Sequence, residues 1–336
     1  MDKNPLVTIN LVVLNAERYV KLCLDAVAAQ TYKNYELNIL DNASKDSTVA
    51  LIKKHGIKHK LILNEKNDGM WLGQEKLLSH SRGEIIVFLS VDVLLSADFL
   101  ENAVKIMGSD ETIGALQGKI YRWQIDNGRP EYTKIIDTCG FEIYKSREIL
   151  NRGHGAEDRG QFNKQEEIFA VEGAVPVFRK KAIQDSLLDG HLIDPEYFWY
   201  GEDLDFAWRM RLMGWKEIYD PSVIAYHDRQ TTKRTRSTLI DFIRMRKTIP
   251  IFKRRLDWRN TTVTVLKNDF GWNLLKDLPR ILWRQIPLLG YFLIFETPVI
   301  LEVFNVLKQL PKIFRQRREI AARRKVTMGD MRSWFK

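Results

Sequence analysis

Short apolar runs alternate with stretches of helical apolar spacing over the N-terminal part of the chain. A short, continuous apolar run is typical of a buried strand, and apolar residues three or four positions apart are typical of a helix with one buried face. This pattern predicts a doubly wound α/β fold, in which helices flank a largely parallel sheet. The predicted strands cover residues 7–15, 35–40, 60–63 and 84–89, and the predicted helices cover residues 16–30, 47–55, 71–80 and 97–107.

The middle of the chain has a less regular pattern. Residues 121–165 are polar and rich in turn-forming residues, so we predict a long irregular insertion there. Strand-like and helical patterns return over residues 167–183. A helix is then predicted over residues 202–213, with Gly214 at its end, and a strand over residues 223–227.

Positive charge is concentrated towards the C-terminus. The 53 lysines and arginines outnumber the 43 aspartates and glutamates, which gives a formal net charge of +10. We therefore divide the chain into an α/β domain over residues 1–229 and a basic, mostly helical region over residues 230–336. The charge predicts an anionic partner. No helix-turn-helix, zinc-finger or aromatic RNA-binding pattern accompanies it, so we predict no binding to nucleic acid.

One segment of the basic region is strongly apolar. Residues 286–307 are interrupted by Glu296, Pro298 and Glu302, which predicts a segment that lies on a membrane and does not cross it. The basic residues of 312–325 follow directly and suit anionic lipid headgroups, a combination typical of peripheral membrane association. The alternative is a helical appendage that packs on the α/β domain and exposes a solvated basic face.

The two cysteines and the N-terminus bear on the cellular compartment. Cys23 and Cys139 provide neither a disulfide framework nor the CxxC spacing of a metal site. The N-terminal apolar run is too short for a signal peptide. We therefore predict a cytoplasmic protein that is peripheral on the inner face of the cell membrane.

Polar residues occur where the predicted strands end. Asp41 ends the second strand, Asp92 follows the fourth, and the loop over residues 67–69 follows the third. Because ligands of open α/β sheets bind at the carboxyl ends of strands, we expect these groups to converge on one edge. The turn with Asn42 and Asp46 suits a nucleobase and ribose, although such residues also form ordinary turns. Asp92 suits Mg²⁺ or Mn²⁺ on a diphosphate, since hard cations prefer oxygen ligands.

Acidic residues gather at the start of the helix predicted over residues 202–213. Glu202 and Asp203 either complement the helix dipole or, facing a pocket, raise each other's pKa as in a tuned general base. His227 ends the following strand. There it either binds a metal through a neutral ring nitrogen or has a structural role.

Taken in order, these clusters resemble the inverting family-2 glycosyltransferases of the GT-A fold. The resemblance covers about residues 5–228, and its segments are VTINLVVLN, QTYKNYELNILDNASKDST, NEKNDGMWLGQE, IIVFLSVDV and FWYGEDLDFAWRMRLMGWKEIYDPSVIAYH. Within the family, GHGAEDRGQF and RNTTVTVLKNDF are similar to rhamnosyltransferase-like members, which act on cell-surface glycans. The resemblance implies that the α/β domain is a GT-A catalytic domain.

The resemblance implies a nucleotide-diphospho-sugar donor, with dTDP, UDP or GDP as the nucleotide, and a divalent cation, Mg²⁺ or Mn²⁺. Asp92 and His227 would hold the cation. The family usually has Asp-x-Asp or Asn-x-Asp at this position, whereas the chain has Ser90, Val91 and Asp92, so only the last carboxylate is present. The implied donor-binding residues are Asp41, Asn42, Asp46, Asn67, Gly69, Gln74 and Asp92.

The resemblance also implies a single in-line displacement that inverts the anomeric centre. Asp203 would take the proton from the acceptor hydroxyl, and Glu202 is the alternative base or the partner that orients it. Trp199 and Tyr200 would stack on a sugar, although aromatic residues here also suit a core. The acceptor would be a glycan or a lipid-linked glycan in cell-surface polysaccharide synthesis.

Two other functions fit part of the pattern. A dinucleotide-dependent dehydrogenase shares the doubly wound order of elements but requires G-x-G-x-x-G after the first strand, where this chain has LNAERYV. The single carboxylate at the metal position also suits a catalytically inactive glycosyltransferase-like scaffold or a membrane-surface binding protein.

Overall fold

The computed structural model describes residues 4–229 and 239–336. The strands are β1 Val7–Val13, β2 Tyr35–Asp41, β3 Lys60–Leu63, β4 Ile85–Ser90, β5 Val93–Leu95, β6 Ile113–Asp126, β7 Arg129–Thr138, β8 Phe141–Ile143, β9 Ile149–Asn151, β10 Glu166–Glu167, β11 Val177–Arg179 and β12 Lys216–His227. The helices are α1 Val20–Ala28, α2 Thr48–Lys54, α3 Met70–Leu78, α4 Phe99–Ser109, α5 Lys180–Asp185, α6 Glu202–Leu212, α7 Leu239–Thr248, α8 Ile251–Asn268, α9 Gly271–Phe295, α10 Thr297–Ile300, α11 Glu302–Arg323 and α12 Met328–Arg332.

Ten of the strands in the part of the chain that the structure describes form one sheet, in the order β10-β12-β6-β11-β4-β1-β2-β3, with β5 beside β12 and β7 beside β6. Strand β1 is parallel to β2 and β4, and β12 is parallel to β6. Strand β11 is antiparallel to both of its neighbours. The prediction of a largely parallel α/β sheet flanked by helices, with a helical C-terminal region, is confirmed.

Hydrophobic cores lie on both faces of the sheet. Successive side chains of a strand point to opposite faces. In β4, Val87 therefore packs with helices α1 and α4 in one core, and Phe88 packs with α5 and α6 in the other. Because both faces are covered, the central strands β1 and β4 are buried along almost their whole length and are mostly apolar, which is why their pattern predicts them well.

The prediction of a long irregular insertion over residues 121–165 is wrong for the first part of that range. Strands β6 and β7 form a long antiparallel hairpin, in which Trp123 pairs with Tyr132. Its turn has positive φ angles at Asn127 (46°) and Gly128 (75°), a combination that suits a two-residue hairpin turn. Most of β7 before Ile136 is exposed or half-buried, so its sequence is polar and lacks the alternation of a half-buried strand.

The C-terminal helices pack directly on the α/β domain. Phe270, Ile320 and Phe335 belong to the same buried cluster as Trp208 of α6, and the ring centroids of Trp208 and Phe335 are 6.2 Å apart. Helix α8 contacts both α6 and α11. None of the helices within residues 4–229 and 239–336 is both long and apolar enough to cross a membrane.

Candidate active site

A cavity of about 720 Å³ lies where β1 and β4 end and α6 begins. This is the edge of the sheet to which the strand-end residues were expected to converge. The predicted site residues that line it are Asn42, Asn67, Gly69, Asp92, Trp199, Tyr200, Glu202, Asp203 and His227. Residues that are more than a hundred positions apart in the chain therefore share one cavity.

Asp41, Asp46 and Gln74 are not among the described residues that line the cavity. Asp41 is buried and accepts a hydrogen bond from the Ser44 backbone N–H at 3.0 Å, which shapes the turn after β2. Gln74 is fully buried and donates to the Asn10 backbone oxygen at 3.1 Å, so its contact joins α3 to β1. The donor-binding roles of these three residues stay predictions.

The loop before α3 brings its backbone into the cavity. The Asn42 amide donates to the Gly69 backbone oxygen at 2.9 Å, and the Gly69 N–H donates to the Asn67 side chain at 2.9 Å. Gly69 has a φ of 87°, and a Cβ there would lie 3.0 Å from the Phe198 backbone oxygen. Both the left-handed conformation and this close approach require glycine.

The acidic pair lies in the first turn of α6. One oxygen of Asp203 accepts from the Gly173 N–H at 3.0 Å, and the other accepts from the Leu204 N–H at 2.8 Å. Burial and the neighbouring charge of Glu172 raise the pKa of Asp203 to about 7. Burial and the charge of Asp203 raise the pKa of Glu202 to about 8. A carboxylate with a pKa near neutrality is suited to accept a proton at physiological pH.

Asp92 and His227 lie side by side at the ends of their strands. The Asp92 carboxylate is 3.4 Å from Nε2 of His227, and the buried Asp137 carboxylate is 2.9 Å from Nδ1 of the same ring. Burial opposes a charge on His227, but Asp92 and Asp137 outweigh it and raise the pKa of His227 to about 10.

The donor set around His227 fits a divalent cation that a diphosphate also coordinates. A carboxylate oxygen and a ring nitrogen face each other, and a histidine that binds a metal usually bonds a carboxylate through its other nitrogen, as His227 does with Asp137. Among the described residues, no group of three or more His, Cys, Asp or Glu side chains is arranged to hold a metal. Phosphate oxygens would therefore have to complete the coordination of a cation here.

A buried ionic cluster supports this side of the cavity. The Arg229 guanidinium donates to Asp137 at 2.8 Å and also to Glu172. The charge of Glu172 in turn contributes to the raised pKa of Asp203. Asp137, Glu172 and Arg229 were not predicted from the sequence. The one available signal was an acidic residue, Glu172, within the apolar stretch AVEGAVPVF.

The C-terminal helices supply the other wall of the cavity. Trp258 of α8 and Arg284, Leu288 and Phe292 of α9 line it, as does Arg246 of α7. These residues were not predicted from the sequence, because they lie in the basic region, which its composition separates from the α/β domain. The rings of Trp199 and Tyr200 stack near this wall at 5.9 Å and 16° between planes. Trp199 is 43% exposed, and Lys253 Nζ lies 4.1 Å from its ring centre.

Comparison of sequences relates the chain to known proteins. The model of the family "Glycosyl transferase family 2" matches residues 8–187. Glycosyltransferase GlyA of Streptococcus pneumoniae serotype 4 is 27% identical over 156 residues, which are 43% of this chain and 22% of that protein. The beta-1,3-glucosyltransferase WfgD of Escherichia coli is 28% identical over 161 residues, 44% of this chain and 62% of that protein. The chain spans 22%, 32% and 40% of the lengths of the first three relatives.

Comparison of folds finds solved structures with the same architecture. GalNAc-T7, solved with UDP, GalNAc and Mn²⁺, has a TM-score of 0.58 and 16% identity, covering 79% of this chain and 48% of that one. The mannosyltransferase PcManGT of Pyrobaculum calidifontis, solved with GDP-Man and Mn²⁺, has a TM-score of 0.55 and 16% identity, covering 99% and 84%. At this identity the likeness concerns the fold alone.

Proposed function

Because the chain belongs to glycosyl transferase family 2, we propose that it is an inverting glycosyltransferase. It transfers a sugar from a nucleotide-diphospho-sugar to a hydroxyl of a glycan or lipid-linked glycan in cell-surface polysaccharide synthesis. One observation carries the proposal: Asp92, His227 and Asp203 border the same cavity, so the residues for a diphosphate and for a proton are within reach of one substrate pair. The rhamnosyltransferase-like segments favour rhamnose as the sugar.

The proposal is tested by incubating the full chain with UDP-, GDP- and dTDP-sugars and measuring release of the nucleoside diphosphate. An active glycosyltransferase releases the nucleoside diphosphate with at least one of the three nucleotide classes. That class identifies the nucleotide of the donor. Failure to release the nucleoside diphosphate from any of them in the presence of Mn²⁺ and cell-envelope glycolipid would favour the alternative of an inactive scaffold.

In the acidic pair, Asp203 acts as the base and Glu202 is its neighbour. Burial raises the pKa of both carboxyls, and the charge of Asp203 raises that of Glu202 further, so an ionised Asp203 keeps Glu202 protonated. The N–H groups of Gly173 and Leu204 hold the two oxygens of Asp203 in place at 3.0 and 2.8 Å. Asp203 accepts the proton of the acceptor hydroxyl as that oxygen attacks the anomeric carbon, and the nucleoside diphosphate leaves from the opposite face.

Asp92 and His227 would hold Mg²⁺ or Mn²⁺ on the donor diphosphate. A bound divalent cation offsets the negative charge that grows on the leaving nucleoside diphosphate. The two structural neighbours, GalNAc-T7 and PcManGT, were solved with Mn²⁺, which supports this choice of cofactor. His227 must release a proton to bind a cation, and Asp137 then keeps its ring oriented through the Nδ1 contact of 2.9 Å.

Metal removal has an expected outcome. We expect a chelator to abolish nucleoside diphosphate release and added Mn²⁺ to restore it. Replacing Asp137 by asparagine should weaken the apparent Mn²⁺ affinity by about 10- to 100-fold, because the partner of the His227 ring is weakened. Titration of Mn²⁺ followed by electron paramagnetic resonance measures this affinity directly. Release that continues unchanged in the chelator would remove Asp92 and His227 from the metal role.

Helices α9 to α11 expose a large hydrophobic surface. The exposed apolar face, as we call it, contains side chains that are 44–85% exposed. Its members are Trp272, Leu275, Leu282, Trp283, Ile286, Leu293, Ile294, Phe295, Leu301, Phe304 and Leu307. An exposed apolar surface of this extent is typical of a site for a protein or a membrane.

The charges on these helices favour a membrane with anionic lipids. The acids between residues 271 and 318 are Asp277, Glu296 and Glu302. All three are buried and form ion pairs with arginines. The exposed ionic residues of the same stretch are basic, namely Lys276, Arg280, Lys308, Arg315 and Arg318. We propose that the exposed apolar face attaches the protein peripherally to the inner face of the cell membrane, because its apolar and basic groups match the acyl boundary and the headgroups.

This attachment favours a lipid-linked acceptor. Arg284 and Leu288 of α9 line the cavity, while Trp283 and Ile286 of the same helix belong to the exposed apolar face. A helix with its side chains is about 10–12 Å across. The cavity therefore lies about one helix diameter from the proposed membrane contact, within reach of the headgroup of an acceptor anchored in the bilayer.

Vesicle binding tests the attachment. We expect the wild-type chain to float with phosphatidylglycerol vesicles and the double variant Trp283→Glu, Ile286→Glu to lose at least about tenfold in partitioning, since each buried apolar side chain is worth about 1.5–3 kcal/mol. Leu63→Glu is the matched control, because Leu63 is 56% exposed on β3, outside the exposed apolar face. Equal flotation of wild type and double variant would contradict the proposed membrane contact.

A further inference from the structure

The loop that leads into the acidic pair has a strained backbone. Phe198 and Tyr200 have φ angles of 59° and 65°, and Gly201, which directly precedes α6, has a φ of 83°. The left-handed region is energetically unfavourable for non-glycine residues, which persist there only where their surroundings hold them. This loop, residues 197–201, is here called the catalytic loop because Glu202 and Asp203 follow it.

Asn260 of α8 holds the catalytic loop by its side-chain amide. Asn260 is fully buried, and the two N–H groups of its Nδ2 are shared among the backbone oxygens of Tyr197 at 3.0 Å, Trp199 at 2.9 Å and Tyr200 at 2.7 Å. These hydrogen bonds hold backbone carbonyl groups on both sides of the strained residue Phe198. The conformation of the loop therefore depends on a side chain that lies sixty residues further along the chain.

Other contacts place α8 tightly against the catalytic loop. A Cβ at Gly201 would lie 3.3 Å from the Cβ of Asn260, so little more than a glycine fits between loop and helix. The Tyr197 hydroxyl bonds the Thr264 hydroxyl at 3.0 Å, one turn along α8. The Arg259 guanidinium donates to the Glu196 backbone oxygen at 2.7 Å, just before the loop.

We propose that Asn260 is a positioning residue for catalysis, which sets the direction of the first turn of α6 and so the place of the Asp203 carboxylate in the cavity. The inference rests on the proposed function in one respect, the role of Asp203 as base. Helix α8 lies outside residues 8–187, the part that the family model matches. The C-terminal region thus supplies a part of the catalytic site that the matched α/β domain lacks.

The positioning role of Asn260 predicts a large effect on turnover and a small effect on donor binding. The side chain of Asn260 donates to the catalytic loop and accepts from Arg259 Nε at 3.0 Å, so its hydrogen bonds lie away from the residues proposed to bind the donor. Displacing a catalytic group by about 1 Å can lower a rate by about 100-fold. We therefore expect Asn260→Ala and Asn260→Asp to lower the kcat for nucleoside diphosphate release by about 10- to 100-fold and to change the KM for the donor by less than about threefold.

Hydrogen exchange gives a readout that needs no substrate. In both variants we expect faster exchange in the peptide over residues 197–206 and unchanged exchange in β1 and β2. Asn273→Ala is the matched control, because Asn273 is also fully buried in the C-terminal region and donates to the Met328 backbone oxygen at 3.3 Å, away from the cavity. Its kcat and the exchange of residues 197–206 should stay at the wild-type level.

The outcomes separate this inference from the proposed function. A wild-type chain that turns over no donor would count against the function, while the exchange data would still decide whether Asn260 holds the loop. Wild-type exchange over residues 197–206 in Asn260→Ala would overturn the inference. So would a kcat loss no greater than that of Asn273→Ala. If Asn260→Ala does not fold, the isosteric Asn260→Asp decides, since it removes the donating N–H groups and keeps the side-chain volume.

Discussion

Replacing Asp203 by asparagine is expected to lower sugar transfer by about 10²–10⁴-fold, the usual contribution of a general base, and to leave donor affinity nearly unchanged. Asparagine keeps the shape of the side chain but cannot take the proton of the acceptor hydroxyl. The donor is held by other elements, among them Asp92 at the end of β4 and the loop at Gly69. Transfer is measured by product formation and donor affinity by calorimetric titration of the nucleoside diphosphate.

The pH dependence of the same variant provides a control. Since the base must be deprotonated, wild-type kcat/KM should fall as the pH decreases through about 7, the pKa of Asp203, and the Asp203→Asn variant should lack this limb. The raised pKa also affects stability, because the folded protein retains a proton that the unfolded chain has lost above about pH 4. The stabilisation that comes from this proton is fully present below about pH 4. It is lost as the pH rises through about 7, the pKa of Asp203 in the folded protein. Asp203→Asn should therefore melt at a higher temperature than wild type at pH 8.

The Glu202→Gln variant shows whether Asp203 or Glu202 is the general base. If Glu202 only neighbours the base, its variant should retain substantial transfer and the same low-pH limb, because Glu172 and not Glu202 is the neighbouring charge that raises the pKa of Asp203. Transfer in Asp203→Asn comparable to wild type, together with its loss in Glu202→Gln, would move the role of base to Glu202.

Replacing Asp205 by asparagine is expected to destabilise the protein by about 3–5 kcal/mol, the usual cost of leaving buried charge uncompensated. The Asp205 carboxylate is fully buried and lies 2.9 Å from Lys267 Nζ, 3.3 Å from Arg209 Nε and 2.7 Å from Asn268 Nδ2. Without it, two buried cations face each other across the junction of α6 and α8. The free energy of unfolding in a denaturant titration measures the effect.

Two further variants show whether buried charge is the cause. In the double variant Asp205→Asn, Lys267→Met, one of the two cations is also removed, so part of the lost stability should return. Asp25→Asn breaks an exposed pair, in which Asp25 and Lys21 are 2.6 Å apart, and should cost about 1 kcal/mol or less. A double variant no more stable than Asp205→Asn alone would show that the ion pair is not what joins the two helices.

The sequence analysis predicted those parts of the fold whose pattern is local. The strands β1 and β4 are covered on both faces, so each appears as a mostly apolar run, and helix α6 ends at Leu212, just before the expected Gly214 with its positive φ. The hairpin of β6 and β7 was missed because its exposed half has no apolar alternation. Its Asn127–Gly128 turn was a usable signal.

Part of the candidate site could also be predicted from the sequence. Asp92 and His227 end strands that lie in one sheet, and the carboxyl ends of such strands meet at one edge, so their convergence could be predicted without coordinates. The partners of these residues could not be predicted. Asp137 contacts His227, and Glu172 acts electrostatically on Asp203, across many residues of sequence, and no local pattern tells which residues these two acids meet.

By itself, the sequence determined the α/β order of elements, the concentration of charge near the C-terminus and the acids and histidine at the edge of the sheet, because periodicity and composition are properties of neighbouring residues. Only the tertiary structure decided that α8 and α9 form a wall of the cavity and that Asn260 holds the catalytic loop. These contacts depend on how separate helices pack, which is set by the shapes of whole surfaces and is not encoded in any short segment.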